Sequence, residues 1–287
     1  MSAAIGPDLV GHELESVHSR WDDREARLYA IAVGAGSVDP YQELQYTTEN
    51  TAGITQAVLP TFAVLPGCRV GVRSLLNALD SVDLSRMLHG EQQVEIHAPI
   101  PVAAEVTTTG AVTAVWDKQK AAVVETEAVT TCRDSGTRLF TCRQSLFFRG
   151  YGGWGGQRGP KGDPVPPRGT PTRIVRFRTR SDQALLYRLT GDSNALHSDP
   201  EVARRAGFAR PISHGLCTYG WVARVLVNEV LDGDTTAVQA FKGRFTAPSY
   251  PGDELTVEVW PTTEGHAFSV LNARGDTVVD DGVLASR

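Results

Sequence analysis

Alternating polar and apolar positions recur along the chain and predict antiparallel strands. Residues 121–131 (AAVVETEAVTT), 138–148 (RLFTCRQSLFF) and 255–260 (LTVEVW) mix β-branched and aromatic side chains with polar ones, and turn residues such as Arg133-Asp134-Ser135-Gly136 bound them. By contrast, residues 215–231 (GLCTYGWVARVLVNEVL) are apolar almost all round and follow a proline and a turn, which predicts a long buried helix. Such a helix beside antiparallel strands is buried best when the sheet wraps around it. A shorter helix is expected from Asp199, its N-cap, through Pro200 at the first helical position and Glu201 in the first turn, ending at Gly207.

The sharpest break in the pattern is GYGGWGGQRGPKGDPVPPRGTP, residues 150–171, with eight Gly and five Pro among twenty-two residues. No helix or central strand survives there, because Gly raises the entropy cost of order and Pro removes donors. The stretch reads as a linker or surface excursion between an N-terminal domain, 1–149, and a C-terminal domain, 172–287. Each half opens on a polar-then-apolar helical stretch with a Leu-Tyr pair (21–30 and 181–189) and closes on strand-like residues after an Ala-Pro (98–99 and 247–248). That recurrence suggests a duplicated unit.

Composition narrows the function classes. The chain has 287 residues, enough for two domain-sized units, and 28 Lys+Arg against 33 Asp+Glu give a net charge of −5. This argues against a dedicated nucleic-acid or anionic-membrane surface. No window approaches eighteen consecutive apolar residues, and the N-terminus lacks a basic flank and hydrophobic stretch of signal-peptide type. The protein reads as soluble and unexported. Four scattered cysteines (Cys68, Cys132, Cys142, Cys217) form no C-x-x-C pair and read as small buried apolar residues in a reducing compartment, with no metal site expected.

Candidate chemistry concentrates in residues 187–216. Thr190-Gly191-Asp192-Ser193-Asn194-Ala195-Leu196-His197 falls in a loop, where an Asp and a His five apart can converge to position and deprotonate a water. The same residues also fit a plain turn with a core histidine. Pro211-Ile212-Ser213-His214-Gly215 abuts the apolar helix, so the Gly215 amide is expected near a helix N-terminus, where N–H groups lack intrahelical partners. A developing oxyanion could be held there by backbone alone, although Gly215 could equally just permit close packing.

Tyr187-Arg188-Leu189-Thr190-Gly191-Asp192-Ser193-Asn194-Ala195-Leu196-His197 resembles the Y-x-L-[ST]-G-D-x-N-P-L-H signature of the MaoC-like, or type 2, enoyl-CoA hydratases, which act in R-specific hydration. Asp199-Pro200 and Pro211-Ile212-Ser213-His214-Gly215-Leu216 extend the resemblance. So do Leu59-Pro60-Thr61-Phe62, Leu88-His89-Gly90-Glu91 and Trp116-Asp117-Lys118, which are similar to the two-hotdog members. The resemblance implies an α+β double hotdog, two antiparallel sheets each wrapped around a long helix. Its first half would be catalytically degenerate and accommodate the acyl chain, since the region after Tyr29 reads AIAVGAGSVDP and lacks the motif.

By that resemblance Asp192 and His197 are the acid–base pair, Asn194 helps hold the water, and the Gly215 amide stabilises the enolate-like thioester oxygen. Substrate contacts are implied for His89, Gly90, Lys118, Ser193, Ala195, Leu196 and Phe245, with Lys118 near the CoA phosphates. Without the resemblance, Lys118 reads as a solvated lysine and Phe245 as a core aromatic. Ala195 stands where the signature has Pro, which leaves the loop less rigid in the unfolded chain and is expected to tune activity. The implied reaction is reversible hydration of trans-2-enoyl-CoA to (3R)-3-hydroxyacyl-CoA in fatty-acid metabolism such as β-oxidation, with no cofactor beyond the CoA thioester substrate.

Two alternatives stay open: a (3R)-hydroxyacyl carrier-protein dehydratase of fatty or mycolic acid synthesis, for which Arg173, Arg176, Arg178 and Arg180 are a candidate docking patch, and a non-catalytic acyl-CoA-binding partner subunit. A homodimer is expected by resemblance. The final Ala285-Ser286-Arg287 is a poor peroxisomal tripeptide, favouring a cytoplasmic setting.

Overall fold

The structure, a computed structural model, describes residues 4–79, 82–83, 86–160 and 169–287. In chain order it contains β1 (Glu13–Trp21), α1 (Asp23–Ala32), α2 (Leu44–Thr47), α3 (Val64–Ala78), β2 (Met87–Ile96), β3 (Ala104–Asp117), β4 (Ala121–Cys132), β5 (Arg138–Arg149), β6 (Arg173–Arg178), α4 (Gln183–Tyr187), α5 (Pro200–Arg205), α6 (Gly215–Val230), β7 (Val238–Phe245), β8 (Glu254–Thr262), β9 (Gly265–Asn272) and β10 (Thr277–Ser286). Residues 161–168 of the Gly/Pro-rich stretch and the side chain of Cys68 lie outside what is described. Two compact units form: unit 1 is Met1–Ser19, Ala63–Ala98 and Glu105–Pro164, and unit 2 is Arg20–Phe62, Pro99–Ala104 and Val165–Arg287.

In unit 1 the strands run in the order β1-β3-β4-β5-β2, and α3 packs on β4 and β5. The core joins Leu75 and Leu79 to Val112, Val124, Leu146 and Phe148. Gly67 of α3 leaves no room for a Cβ, because the Cys142 side chain occupies that space. The first part of the Gly-rich stretch packs back onto this unit around Asp117, only 4% exposed. Its carboxylate accepts the N–H groups of Gly153 (2.8 Å), Gly155 (2.8 Å), Gly156 (3.2 Å) and Gln119 (2.7 Å), which hold it below the usual carboxylate range, Gly153 foremost.

In unit 2 the strand order is β7-β10-β9-β8-β6, and α6 packs on β7 and β10. The all-round apolar pattern is satisfied: Cys217 through Val227 are all buried, Arg224 included. Trp221 stacks on Phe177 of β6 (5.1 Å between centroids, 9° between planes) and lies under the Arg224 guanidinium (4.7 Å). Segment 20–62 covers the opposite side of α6. Its helix α1 starts at Asp22 with a capping box closed by Glu25. Val33 and the Tyr29 hydroxyl then reach so close to Gly220 that a Cβ there would meet them at 2.5 and 2.6 Å. Gly34 has a left-handed φ of +89°, and the Trp221 ring fills the place of its missing side chain. Arg224 donates to the Val33 carbonyl (2.9 Å) and to Glu43 (2.6 Å), whose other oxygen accepts the Gly36 N–H (2.9 Å).

The free cysteines Cys142 and Cys217 are buried, and Cys132 is half-buried. Among the described residues no helix is long and apolar enough to cross a membrane.

Candidate active site

Three consecutive stretches of unit 2 build the site. After α4, a one-turn helix (Arg188–Thr190) ends at Gly191, whose φ of 113° turns the chain sharply into the loop. Asp192 Oδ1 then accepts the Asn194 N–H (3.1 Å), and Asn194 Oδ1 caps the next turn (Ala195–His197) by accepting the Leu196 N–H at 3.0 Å. Asp199 stops that turn and starts α5 as expected, taking the N–H groups of Glu201 (2.7 Å) and Val202 (3.3 Å). The polar side chains of the motif are thus used first to fold the loop that carries them.

His197 points inward from this loop. Its Nδ1 bonds to the Ile212 carbonyl at 3.0 Å, and a carbonyl only accepts, so Nδ1 carries the hydrogen and Nε2 the lone pair. Burial lowers its pKa below the ordinary 6.5, while the Ile212 bond and the Asp192 charge pull the other way. The ring is therefore neutral near pH 7, with Nε2 able to take a proton.

His214, the N-cap of α6, was not singled out by the sequence reading, although a His-Gly directly before a helix start is a legible signal. It is 1% exposed and lies against His197, ring centroids 3.9 Å apart at 33°. Its Nε2 donates to the Asp192 backbone carbonyl (3.2 Å), and its Nδ1 is buried with no hydrogen-bond partner among the described residues. Burial, with the neighbouring His197, pushes its pKa down to about 4. Tyr187 backs His214 at 5.0 Å, and Tyr29 backs Tyr187 at 6.4 Å.

Gly215 is the first residue of α6, so its N–H has no acceptor within the helix. The Phe245 ring lies where a Cβ on Gly215 would sit 3.4 Å away, and Phe245 also faces Tyr219 (6.4 Å). Asp192, Asn194, His197, Gly215 and Phe245 therefore belong to one unit, as do Ser193, Ala195 and Leu196 on the same loop. Asp192, His197 and His214 each offer one ligand atom within 4.8 Å of one another, the place among the described residues where a metal ion would find donors. Both imidazoles already commit one nitrogen to a backbone carbonyl, and the remaining atoms of Asp192 and His197 are those acid–base chemistry requires.

His89, Gly90 and Lys118 belong to unit 1. His89 bonds through Nε2 to the Glu91 carbonyl at 3.1 Å, and Gly90 forms the bulge at which β2 shifts register against β5. Lys118 donates from Nζ to the Arg158 carbonyl. Of the four arginines, Arg173 pairs with Glu229 (3.2 Å), Arg178 with Glu254 (3.3 Å) and Arg180 with Asp182 (2.9 Å), while Arg176 is exposed on β6. Most of that patch is locally neutralised.

Comparison with known proteins places the chain in a family. Residues 19–150 match the profile described as the MFE-2 hydratase 2 N-terminal domain, and residues 163–281 match the MaoC like domain. The chain is 41% identical over 279 residues to enoyl-CoA hydratase ChsH3 of Mycobacterium tuberculosis, covering 96% of each protein. It is 37% identical over 269 residues to the peroxisomal enoyl-CoA hydratase 2 of Arabidopsis thaliana, covering 88% of this chain and 85% of the other. Among solved structures, a MaoC-like dehydratase from Phytophthora capsici superposes with a TM-score of 0.86 at 27% identity, covering 99% of this chain and 98% of that one. A Mycobacterium tuberculosis protein described as a double hotdog fold superposes at 0.62 with 14% identity over 96% of both chains, a likeness of fold alone. This chain is an α+β double hotdog and belongs to the MaoC-like enoyl-CoA hydratase 2 family.

Proposed function

We propose that this hydro-lyase adds water reversibly across trans-2-enoyl-CoA to give (3R)-3-hydroxyacyl-CoA, with Asp192 and His197 as catalytic residues. The observation that carries the reading is the His197 tautomer, with its lone pair on Nε2, in a ring that has a nitrogen within 4.8 Å of an Asp192 carboxylate oxygen. As the water oxygen bonds to C3, His197 Nε2 accepts one of its protons and Asp192 holds the other hydrogen. Electrons of the C2–C3 double bond shift to the thioester oxygen, which the Gly215 N–H stabilises as the charge develops. Collapse of this enolate takes a proton back from the pair onto C2, so the protein ends in its starting protonation state. Asn194 keeps its amide N–H2 for the water, because Oδ1 is engaged by Leu196. Neither a metal nor a redox cofactor is needed for these steps.

His89, Gly90 and Lys118 are proposed to contact the acyl-CoA substrate, and Phe245 to line its path beside Gly215. The protein is proposed to act as a cytoplasmic homodimer; the exposed Leu185 (55%) and Leu189 (64%) support a further buried surface, and sedimentation velocity tests it. Incubating the enzyme with trans-2-enoyl thioesters of short, medium and bulky acyl groups, on CoA and on carrier protein, tests the substrate class. Loss of enoyl absorbance on CoA substrates, with product oxidised by an R-specific dehydrogenase, is expected. Turnover confined to carrier-protein thioesters would instead select the dehydratase alternative, and S-configured product would refute the reading.

A further inference from the structure

The hydration chemistry above uses Asp192, His197, Asn194 and Gly215, yet the most deeply buried polar group of the site is none of these. His214 is buried, neutral and in contact with both members of the acid–base pair, through the His197 ring and the Asp192 backbone carbonyl. A buried imidazole with one nitrogen unpartnered is costly to maintain, and an apolar ring of similar size would fill the same space. Its two contacts indicate what the imidazole does there. Nε2–H reaches the Asp192 carbonyl, across twenty-two residues of sequence, and so ties the start of α6 to the loop that carries the carboxylate. The ring centroid lies 3.9 Å from that of His197 and 5.0 Å from that of Tyr187.

We propose that His214 is a positioning residue: its Nε2–H fixes the Asp192 backbone, and its ring covers one face of His197 against water. The proposal rests on the hydratase reading, in which Asp192 and His197 act together on one water. The titratable and charged groups facing the two rings are Asp192 from the loop, Tyr187 from α4 and Arg188 from the turn after it. With the His214 ring in place, His197 titrates below its ordinary value mainly through burial. Removal of the ring admits water to that face and moves His197 back up, whereas removal of the donor alone loosens Asp192 and leaves His197 covered.

Two substitutions separate these roles. His214→Phe keeps a ring and removes the donor, and His214→Gln keeps an amide donor and removes the ring. Each is compared with wild type by kcat and KM against pH on a trans-2-enoyl-CoA, and by an NMR titration of 15N-labelled His197 without substrate. For His214→Phe, kcat is expected to fall about tenfold, the loss of one hydrogen bond, with KM and the acid limb unchanged. For His214→Gln, the acid limb and the NMR titration of His197 are expected to move up together towards 6.5. Wild-type kcat and pH profile in both variants, or the same kcat loss and the same shift in both, would overturn the proposal. Should neither variant fold, the wild-type imidazole 15N spectrum decides: His214 protonated at Nε2 at neutral pH supports it, and at Nδ1 overturns it. If wild type hydrates no enoyl thioester, the functional reading fails, while the substrate-free His197 titration still judges the positioning role.

Discussion

Mild acid should loosen unit 2 through His214. The imidazole titrates at about 4 in the folded protein and at 6.5 when exposed, so between those values the unfolded chain binds the extra proton and the folded chain does not. Stability contributed by keeping the ring neutral is therefore present above 6.5 and is lost as pH falls towards 4. The slope is about 1.4 kcal/mol per pH unit, roughly 3 kcal/mol across the window and about 2 kcal/mol between pH 6.5 and 5, before most carboxylates titrate. His197, also lowered by burial, adds in the same direction. The perturbation is His214→Phe, which fills the site and cannot titrate. Urea unfolding at several values between pH 7.5 and 5 should give a steeper fall for wild type than for the variant, by about 2 kcal/mol between pH 6.5 and 5. Parallel lines would show that the His214 ring is protonated or solvated in the folded state, and would refute its burial as a neutral imidazole.

Two other substitutions test particular contacts. Arg224→Met removes the buried cation of the half-buried Glu43 and should cost about 3 kcal/mol, a fall of roughly 6–12 °C in Tm, of which adding Glu43→Gln should recover about 1 kcal/mol or more; additive single and double effects would contradict the pairing. Ala195→Pro restores the family's proline where Asn194 already has a polyproline-like backbone (φ −56°, ψ 122°), outside the helical region that a following proline disfavours, so it should raise Tm by about 1–3 °C with kcat retained, and a lower Tm would show that the loop is strained against it.

Much of this fold is written in local patterns. The period-two runs became β4, β5 and β8, and the all-round apolar stretch became α6, because each pattern is satisfied by a single kind of burial. Helix α3 was not legible: Pro66, Gly67 and Gly71 interrupt its pattern, and Gly67 is there because of the close approach of Cys142, a contact seventy-five residues away in sequence. The Gly-rich stretch reads as linker, yet Gly153, Gly155 and Gly156 also supply N–H groups to Asp117, which composition cannot reveal. At the site, the loop with Asp192, Asn194 and His197 was legible because turn chemistry and acid–base residues fall together in eight positions. The place of His214 before a helix start was legible too, but its role was not, since that depends on a tertiary bond to a backbone carbonyl and on a stacked partner.

The central claim is that Asp192 and His197 together activate the water, and it is tested most directly by hydration rates of trans-2-enoyl-CoA for wild type, Asp192→Asn and His197→Ala, each verified as folded. Wild type should turn over, and each variant should lose about 10²–10⁴ in kcat with little change in KM, the range expected when a positioned acid or base is removed. Retention of wild-type kcat in either folded variant would place the chemistry elsewhere in the chain.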